Sequence, residues 1–105
     1  METRGYVKSL ETRVIFRKDP KYDNEVVAVF PEYPGTNEIK TCLCYTEIGQ
    51  HSACSYDWYL STKPATPEEY APLLAELLRI GYSNITIRHK WTQKMDRERE
   101  NALQF

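Results

Sequence analysis

The stretch T-P-E-E-Y-A-P-L-L-A-E-L-L-R-I-G, residues 66–81, decides the fold, because it is the one long segment with clear helical periodicity. Its apolar side chains recur at the three-and-four spacing that places them on one helix face. That face consists of Tyr70, Leu73, Leu74, Leu77 and Leu78. Thr66 and Glu69 have the spacing of a capping box, Pro67 suits the first helical position, and Gly81 is the expected C-terminal cap. The sequence therefore predicts an amphipathic helix on which the rest of the chain packs.

Three segments before this helix have the composition of β-strands. Residues 12–18 alternate apolar and basic side chains, whereas residues 25–31 are apolar on both faces and are expected at the centre of a sheet. Residues 39–48 alternate again, and the face with Leu43 and Tyr45 is the expected core face because the other face carries a lysine. These segments predict consecutive antiparallel strands.

The segments between and after these strands carry turn, loop and strand signals. Pro34 and Gly35 suit the two central positions of a type II turn, in which the glycine takes a positive φ. Residues 49–55 are predicted to form a loop, and residues 56–61 a short fourth strand. After the helix, residues 83–90 contain I-T-I-R and predict a final strand that returns to the sheet.

This order predicts an α+β fold, a two-layer sandwich with a mostly antiparallel sheet of four to five strands and one main helix. The face of the sheet opposite the helix is expected to be open to a partner. We expect residues 1–105 to form a single domain, with residues 1–11 as an irregular arm and residues 91–105 as a charged tail that forms a short solvated helix or frays. The predicted core consists of Val14, Phe16, Val27, Val29, Leu43, Leu73, Leu74, Leu77, Leu78, Ile85 and Ile87.

Charge and cysteine content narrow the class of protein. Fourteen Lys and Arg residues against fifteen Asp and Glu residues leave a net charge of -1, so the chain has no global cationic field that would drive non-specific nucleic-acid binding. No signal-peptide pattern and no apolar run of the roughly 20 residues needed to span a bilayer are present. Three cysteines, an odd number, favour reduced thiols in the cytoplasm. No phosphate-binding or dinucleotide motif occurs, so we expect no cofactor and no enzyme.

Residues 26–35, V-V-A-V-F-P-E-Y-P-G, resemble the second strand and turn of HicB-like antitoxin domains. That resemblance implies a β-β-β-α-β order, from which this chain departs by an insertion between Thr36 and Ala65 and by having no room for a following DNA-binding segment. More broadly, V-I-F-R-K, V-F-P-E, I-G-Q-H and K-P-A-T-P-E-E-Y are similar to segments of short uncharacterised proteins of bacterial chromosomes and mobile elements. This second resemblance implies no particular activity.

Cysteine and histidine side chains form the sharpest motif, C-x-C-x6-H-x2-C. The four side chains that would ligate a structural zinc ion are Cys42, Cys44, His51 and Cys54. Residues two apart on a strand are separated by about 6.6 Å, however, whereas two thiolates on one zinc lie about 3.8 Å apart. Buried packing thiols are therefore the favoured interpretation, and no metal is expected. A nucleophilic pair of Cys54 with His51 or with His89 is the weaker chemical alternative, because no local signature surrounds it.

Aromatic residues suggest a function in binding. Eight tyrosines and two tryptophans stand against three phenylalanines, so most rings carry a polar group suited to interfaces. The candidate protein-binding residues are His51, Tyr56, Trp58 and Tyr59. The competing structural interpretation is that Trp58 and one tyrosine only cap the core.

The alternative function is binding of single-stranded nucleic acid, with tyrosine stacking beside a local basic patch. That patch would consist of Arg13, Arg17, Lys18, Arg88, His89 and Lys90. The near-zero net charge favours a protein partner over nucleic acid. The sequence thus predicts a small non-catalytic protein-binding or regulatory module, with homodimerisation through a sheet edge as one form of that interaction.

Overall fold

The computed structural model describes residues 11–38, 40–47 and 49–103. Within that part the strands are β1 (Thr12–Asp19), β2 (Glu25–Pro34), β3 (Thr41–Thr46), β4 (Gln50–Ser55), β5 (Lys63–Pro64) and β6 (Ile85–Arg88). The helices are α1 (Tyr56–Leu60), α2 (Pro67–Arg79) and α3 (Gln93–Leu103), with a short 3-10 helix at Pro20–Tyr22. The predicted α+β class is confirmed.

The strands form one mixed sheet in the order β4-β3-β2-β1-β5. Every pairing along this path is antiparallel. β6 lies on the same side of β1 as β5. It pairs with β1 in parallel, from Thr12 opposite Ile85 to Ile15 opposite Arg88. The six described strands exceed the predicted four to five because β4 and the two-residue β5 carry weak strand signals.

Helix α2 covers one face of the sheet as predicted. Thr66 and Glu69 form the capping box at its start, and Leu73 and Leu77 are fully buried. The buried cluster on this face consists of Val14, Phe16, Ala28, Phe30, Tyr45, Leu73 and Leu77. The prediction for Leu78 is wrong, because its side chain is 54% exposed at the last turn of the helix. Gly81 follows the helix with a positive φ of 119°, which confirms its role at the C-terminal end.

The second face of the sheet is covered, in contrast to the open face expected from the sequence. Helices α1 and α3 contribute Tyr59 and Met95 to a second buried cluster, together with Trp91 from the preceding segment. The sheet residues of that cluster are Ile15, Val27, Val29, Cys42, Cys44 and Cys54. The described chain therefore has three layers instead of the predicted two. The predicted solvated tail is largely α3, and the Arg99 guanidinium donates to the Pro31 carbonyl at 2.8 Å.

Local hydrogen bonds explain why residues 56–60 form a helix instead of the predicted fourth strand. Ser55 is the N-cap of α1, and its hydroxyl accepts a hydrogen bond from the Trp58 amide at 3.1 Å. The Trp58 indole Nε1 then donates to the Asp19 carboxylate at 2.8 Å and joins α1 to the end of β1. Apolar alternation at Tyr56 and Trp58 predicted a strand here, but the cap and this tertiary bond favour the helix.

Position 35 requires a glycine because neighbouring backbone approaches it closely. A type II turn is not the reason. Among the described glycines only Gly49 and Gly81 take a positive φ, so the turn prediction for Gly35 is wrong. A Cβ at position 35 would lie 2.3 Å from the Cys42 carbonyl oxygen and 2.7 Å from the Ala53 Cβ. β2 continues past this region to pair Pro34 with Cys42 across a register shift.

The chain adds β4, α1 and β5 between β3 and α2, inside the insertion noted in the sequence. The resemblance to HicB-like domains therefore stays a prediction. Most of the predicted arm, residues 1–10, lies outside the described residues, as do Ile39 and Ile48 of the predicted third strand.

Candidate functional site

Strand β4 forms one edge of the sheet. It pairs with β3 from Thr41 opposite Ser55 to Thr46 opposite Gln50, and no other described residue pairs with its outer side. Four of its six residues are exposed, and the strand contains no charged residue and no proline. Edge strands are usually protected by lysine, proline or a covering element, so an unprotected edge is a template for pairing with another chain. β4 is therefore the first component of a candidate binding surface.

A shallow depression of about 330 Å³ adjoins this edge on the α2 side of the sheet. It is lined by His51 of β4 and by Ile80, Gly81 and Tyr82 of the segment after α2. Nε2 of His51 and the Tyr82 hydroxyl oxygen lie 2.8 Å apart and share a hydrogen bond. The His51 ring also contacts Tyr45, with centroids 4.6 Å apart. We call the outer side of β4 and this depression together the β4 edge surface.

A larger cleft, about 590 Å³, opens on the opposite side of β3 and β4. Trp58 and Asp19 form one wall, and Cys44, Ser52 and Cys54 lie among the lining residues. The Cys44 sulfur lies 3.1 Å from the Ser52 hydroxyl oxygen. A hydrogen bond with Cys54, and next one with Ser52, lowers the pKa of Cys44 to about 7 against the opposing effect of burial. The cleft is therefore lined by a thiol whose pKa lies below the ordinary cysteine value.

The third cysteine, Cys42, contacts Cys54. Cys42 and Cys54 are directly opposite each other on β3 and β4, and their sulfur atoms lie 3.6 Å apart. The hydrogen bonds with Cys42, and then with Cys44, raise the pKa of Cys54. All three cysteines are free thiols on one face of the sheet. We call Cys42, Cys44 and Cys54 the thiol cluster.

The sequence motif for zinc does not come together in the structure. His51 packs against Tyr45 and Tyr82 on the α2 face, whereas the thiol cluster lies on the opposite face. No group of three or more His, Cys, Asp or Glu side chains within residues 11–38, 40–47 and 49–103 is arranged to hold a metal ion. The same separation of faces keeps Cys54 from His51 as a nucleophile and base pair.

The predicted aromatic anchors have different environments. Tyr59 is buried beside Trp91, in edge-to-face contact with ring centroids 5.2 Å apart, and the Arg17 guanidinium lies over the Tyr59 ring. Trp58 is half-buried and bonded to Asp19, so it caps the core as the structural interpretation proposed. Tyr56 is exposed but packs partly on Trp91. The aromatic side chains of Tyr56, Trp58 and Tyr59 therefore make most of their contacts within the fold.

The predicted basic patch divides into two halves. The three basic side chains of β1 form ion pairs or hydrogen bonds with other residues of the chain. Arg13 pairs with Glu32 at 2.9 Å, and Lys18 pairs with Glu69 at 2.8 Å. Arg17 donates to the Thr62 hydroxyl and carbonyl oxygens. The second half, Arg88, His89 and Lys90, is exposed and lines a separate depression of about 460 Å³.

The sequence interpretation missed Ile80 and Tyr82 as surface residues and placed β4 in a loop. Gly49 between two polar segments was the available signal for a β3–β4 hairpin, because such a turn often contains a glycine at positive φ. For Ile80 and Tyr82 no local signal existed, since their role depends on the position of β4.

No helix within the described residues is long and apolar enough to cross a membrane. Comparisons with protein-family models, with curated proteins and with solved structures give no match to this chain.

Proposed function

We propose that this protein is a small non-catalytic binding module that takes up an extended segment of another polypeptide by strand addition at β4. The observation that carries this proposal is the exposed, uncharged edge of β4, which no described residue covers. Strand addition uses main-chain hydrogen bonds for affinity and pockets for alternate side chains for specificity. The β4 edge surface offers both features, because the depression at His51 lies beside the open edge.

The apolar character of the surroundings indicates the chemistry of the partner. The Ile80 side chain in the depression is 37% exposed, and Leu78 in the last turn of α2 is 54% exposed. An added strand that places an apolar side chain over His51, Ile80 and Tyr82 would bury this area while its backbone pairs with β4. The occupant we propose is therefore an extended, weakly charged segment with an apolar or aromatic residue at its centre.

Free thiols support a reducing, cytoplasmic compartment as part of this proposal. A second copy of the chain would satisfy the same edge by antiparallel β4–β4 pairing, which is one way to form the sheet-edge homodimer considered from the sequence. Nucleic-acid binding has weaker support, because Arg13 and Lys18 are ion-paired and the remaining cations lack an exposed stacking tyrosine in their depression.

The proposal is tested with Ile80→Glu, which places a charge in the depression, and with Leu60→Glu as the matched control. Leu60 is 60% exposed on α1 and does not line the depression at His51, so its substitution has the same chemistry outside the proposed pocket. Each variant and the natural chain serve as bait in lysate of the native host, with and without nuclease. We expect Ile80→Glu to weaken capture of the partner at least about tenfold, as loss of an interface anchor does, and Leu60→Glu to leave it unchanged.

Sedimentation of the purified chain separates the two kinds of protein partner. Dimerisation that Ile80→Glu weakens identifies the partner as a second copy, and a monomer that captures a different protein identifies a heterologous segment. Equal capture by Ile80→Glu and by the natural chain would refute binding at the β4 edge surface. Capture that disappears with nuclease treatment would favour nucleic acid instead.

A further inference from the structure

The end of the sheet opposite β4 has a second open edge, on β6. This strand pairs with β1 on one side, and no described residue pairs with its other side. We propose that β6 takes up an extended acidic segment of a partner protein, in which carboxylate side chains alternate with β-branched apolar ones. The proposal is independent of the β4 edge surface. It rests on the strand register, on the exposed basic side chains beside β6 and on the depression that they line.

Strand register identifies the main-chain groups of β6 that point away from β1. The Thr12 amide donates to the Asn84 carbonyl at 3.0 Å, and Thr12 lies opposite Ile85. In a parallel pair this arrangement turns the N–H and C=O groups of Ile85 outward, and those of Ile87 two residues later. An outward row of peptide groups is a template for pairing with another chain. Ile85 and Ile87 are therefore the residues with which an added strand would pair.

Basic side chains gather beside this edge. The depression of about 460 Å³ contains no acidic residue among those that line it, which are Thr86, Ile87, Arg88, His89, Lys90 and Thr92. Its three basic residues are exposed. Lys94, which is also exposed, lines an adjoining depression of about 160 Å³ together with Arg88. We call Arg88, His89, Lys90 and Lys94 the β6 basic cluster.

The carboxylates near β6 do not neutralise this cluster. Glu11 and Glu32 both pair with Arg13, at 3.3 and 2.9 Å. No carboxylate within residues 11–38, 40–47 and 49–103 forms an ion pair with the β6 basic cluster. Complementary charge therefore favours an anionic partner. A peptide strand fits better than single-stranded nucleic acid, because it supplies the main-chain groups that β6 pairs with and because no tyrosine or tryptophan lines the depression for base stacking.

Side-chain alternation along β6 sets the pattern of the partner segment. Ile85 and Ile87 pack against the buried cluster on the α2 face and are only partly buried. Arg88 belongs to the alternate set, so it lies on the opposite face of the sheet. On an added strand, every second side chain would lie beside the two isoleucines, where β-branched apolar residues pack well. The residues between them would lie on the face of Arg88, which is where carboxylates meet the β6 basic cluster.

The test uses the purified full-length chain and a short synthetic peptide in which valine and glutamate alternate. Fluorescence anisotropy measures the affinity, and hydrogen–deuterium exchange locates the bound peptide. We expect binding that weakens as salt is added, with slower exchange at the amides of Ile85 and Ile87. The same peptide with every amide methylated keeps its charge but cannot donate main-chain hydrogen bonds, so it should bind at least about tenfold more weakly. A valine–lysine peptide and an oligothymidylate are the further probes, and both should bind more weakly than the valine–glutamate peptide.

Arg88→Glu should weaken binding of the valine–glutamate peptide at least about fivefold at low salt, because it replaces an attraction by a like-charge contact. Lys21→Glu is the matched control, since Lys21 is exposed in the 3-10 helix after β1 and lines neither depression. Ile80→Glu, which alters the β4 edge surface, should also leave this affinity unchanged.

Four results would overturn the proposal. They are no binding of the valine–glutamate peptide, equal affinity for its methylated form, equal affinity of Arg88→Glu and the natural chain, and unchanged exchange at Ile85 and Ile87 in the complex. Tighter binding of the oligothymidylate would assign the β6 basic cluster to nucleic acid instead.

Discussion

Nε2 of His51 lies 2.8 Å from the hydroxyl oxygen of Tyr82. This contact joins the edge strand β4 to the segment that follows α2. Both side chains line the depression beside β4. We therefore expect this hydrogen bond to help hold the geometry of the β4 edge surface.

Removing the hydroxyl in Tyr82→Phe is expected to lower the free energy of unfolding by about 0.5 to 1.5 kcal/mol, the net value of one hydrogen bond. It is also expected to speed amide exchange in β4 near His51. Urea unfolding and hydrogen exchange measure the two effects. Tyr22→Phe is the control, because Tyr22 is 68% exposed and its hydroxyl has no partner among the described residues. Equal stability and exchange in both variants would show that the bond does not hold the edge.

Leu77 and Leu78 are adjacent in α2 and test its buried face. Leu77 is fully buried, so Leu77→Ala should lower the free energy of unfolding by about 2 to 5 kcal/mol. Leu78 is 54% exposed, so Leu78→Ala should cost less than about 1 kcal/mol. Denaturant unfolding of the two variants provides the comparison. Similar losses for both would mean that the orientation of α2 is incorrect.

Gly35 tests the close approach of β2 to β3. Gly35→Ala would place a Cβ 2.3 Å from the Cys42 carbonyl oxygen, so backbone must move and we expect a loss of about 1 to 3 kcal/mol. At Gly81, which has open space around a Cβ, alanine meets only the strain of positive φ. The expected cost there is about 1 kcal/mol or slightly more. Thermal unfolding with an unchanged midpoint for Gly35→Ala would contradict the approach.

The carboxylates of Glu69 and Glu76 make the free energy of unfolding change with pH in the acidic range. The hydrogen bond from Arg79, followed by that from Tyr45, lowers the pKa of Glu76, and the hydrogen bond from Lys18 does most to lower that of Glu69. A lowered folded-state pKa adds stability above the unfolded value, about 4.3 for glutamate, and this stability is lost as pH falls through the folded-state pKa. We expect the urea midpoint of the natural chain to decrease as pH falls through that window. The decrease should be smaller for Glu76→Gln.

Glu47→Gln is the control for this pH series, because Glu47 is exposed and no described residue pairs with it. Its pH profile should follow that of the natural chain. A Glu76→Gln profile that also follows the natural chain would show that the contacts of Glu76 do not contribute to acid stability.

Much of the fold followed from local sequence pattern. The capping box at Thr66, the buried Leu73 and Leu77, and strands β1, β2 and β6 all have signals in consecutive residues. The third layer, formed by α1 and α3, did not, because α3 is rich in charge and packs through few side chains, such as Met95 and Arg99. A helix of that composition is indistinguishable from a solvated one until its sheet partner is known.

The candidate site was harder to predict than the fold for the same reason. The sequence singled out the ring cluster, but Tyr59 is buried and Trp58 caps the core once α1 forms. His51 was predicted to lie in a loop but belongs to the edge strand β4, and its neighbours Ile80 and Tyr82 come from a distant segment. The cysteines were expected to be packing thiols, and the 3.6 Å approach of Cys42 to Cys54 depends on a register that spacing alone does not give.

Hydrogen–deuterium exchange of β4 with and without the captured partner tests the central claim most directly. If a strand is added at this edge, amides within Gln50–Ser55 should become protected in the complex, while those of α1 keep the exchange rates of the free chain. The protection should disappear with Ile80→Glu in step with the loss of binding. A complex that forms fully while β4 exchanges as in the free chain would contradict strand addition at the β4 edge surface.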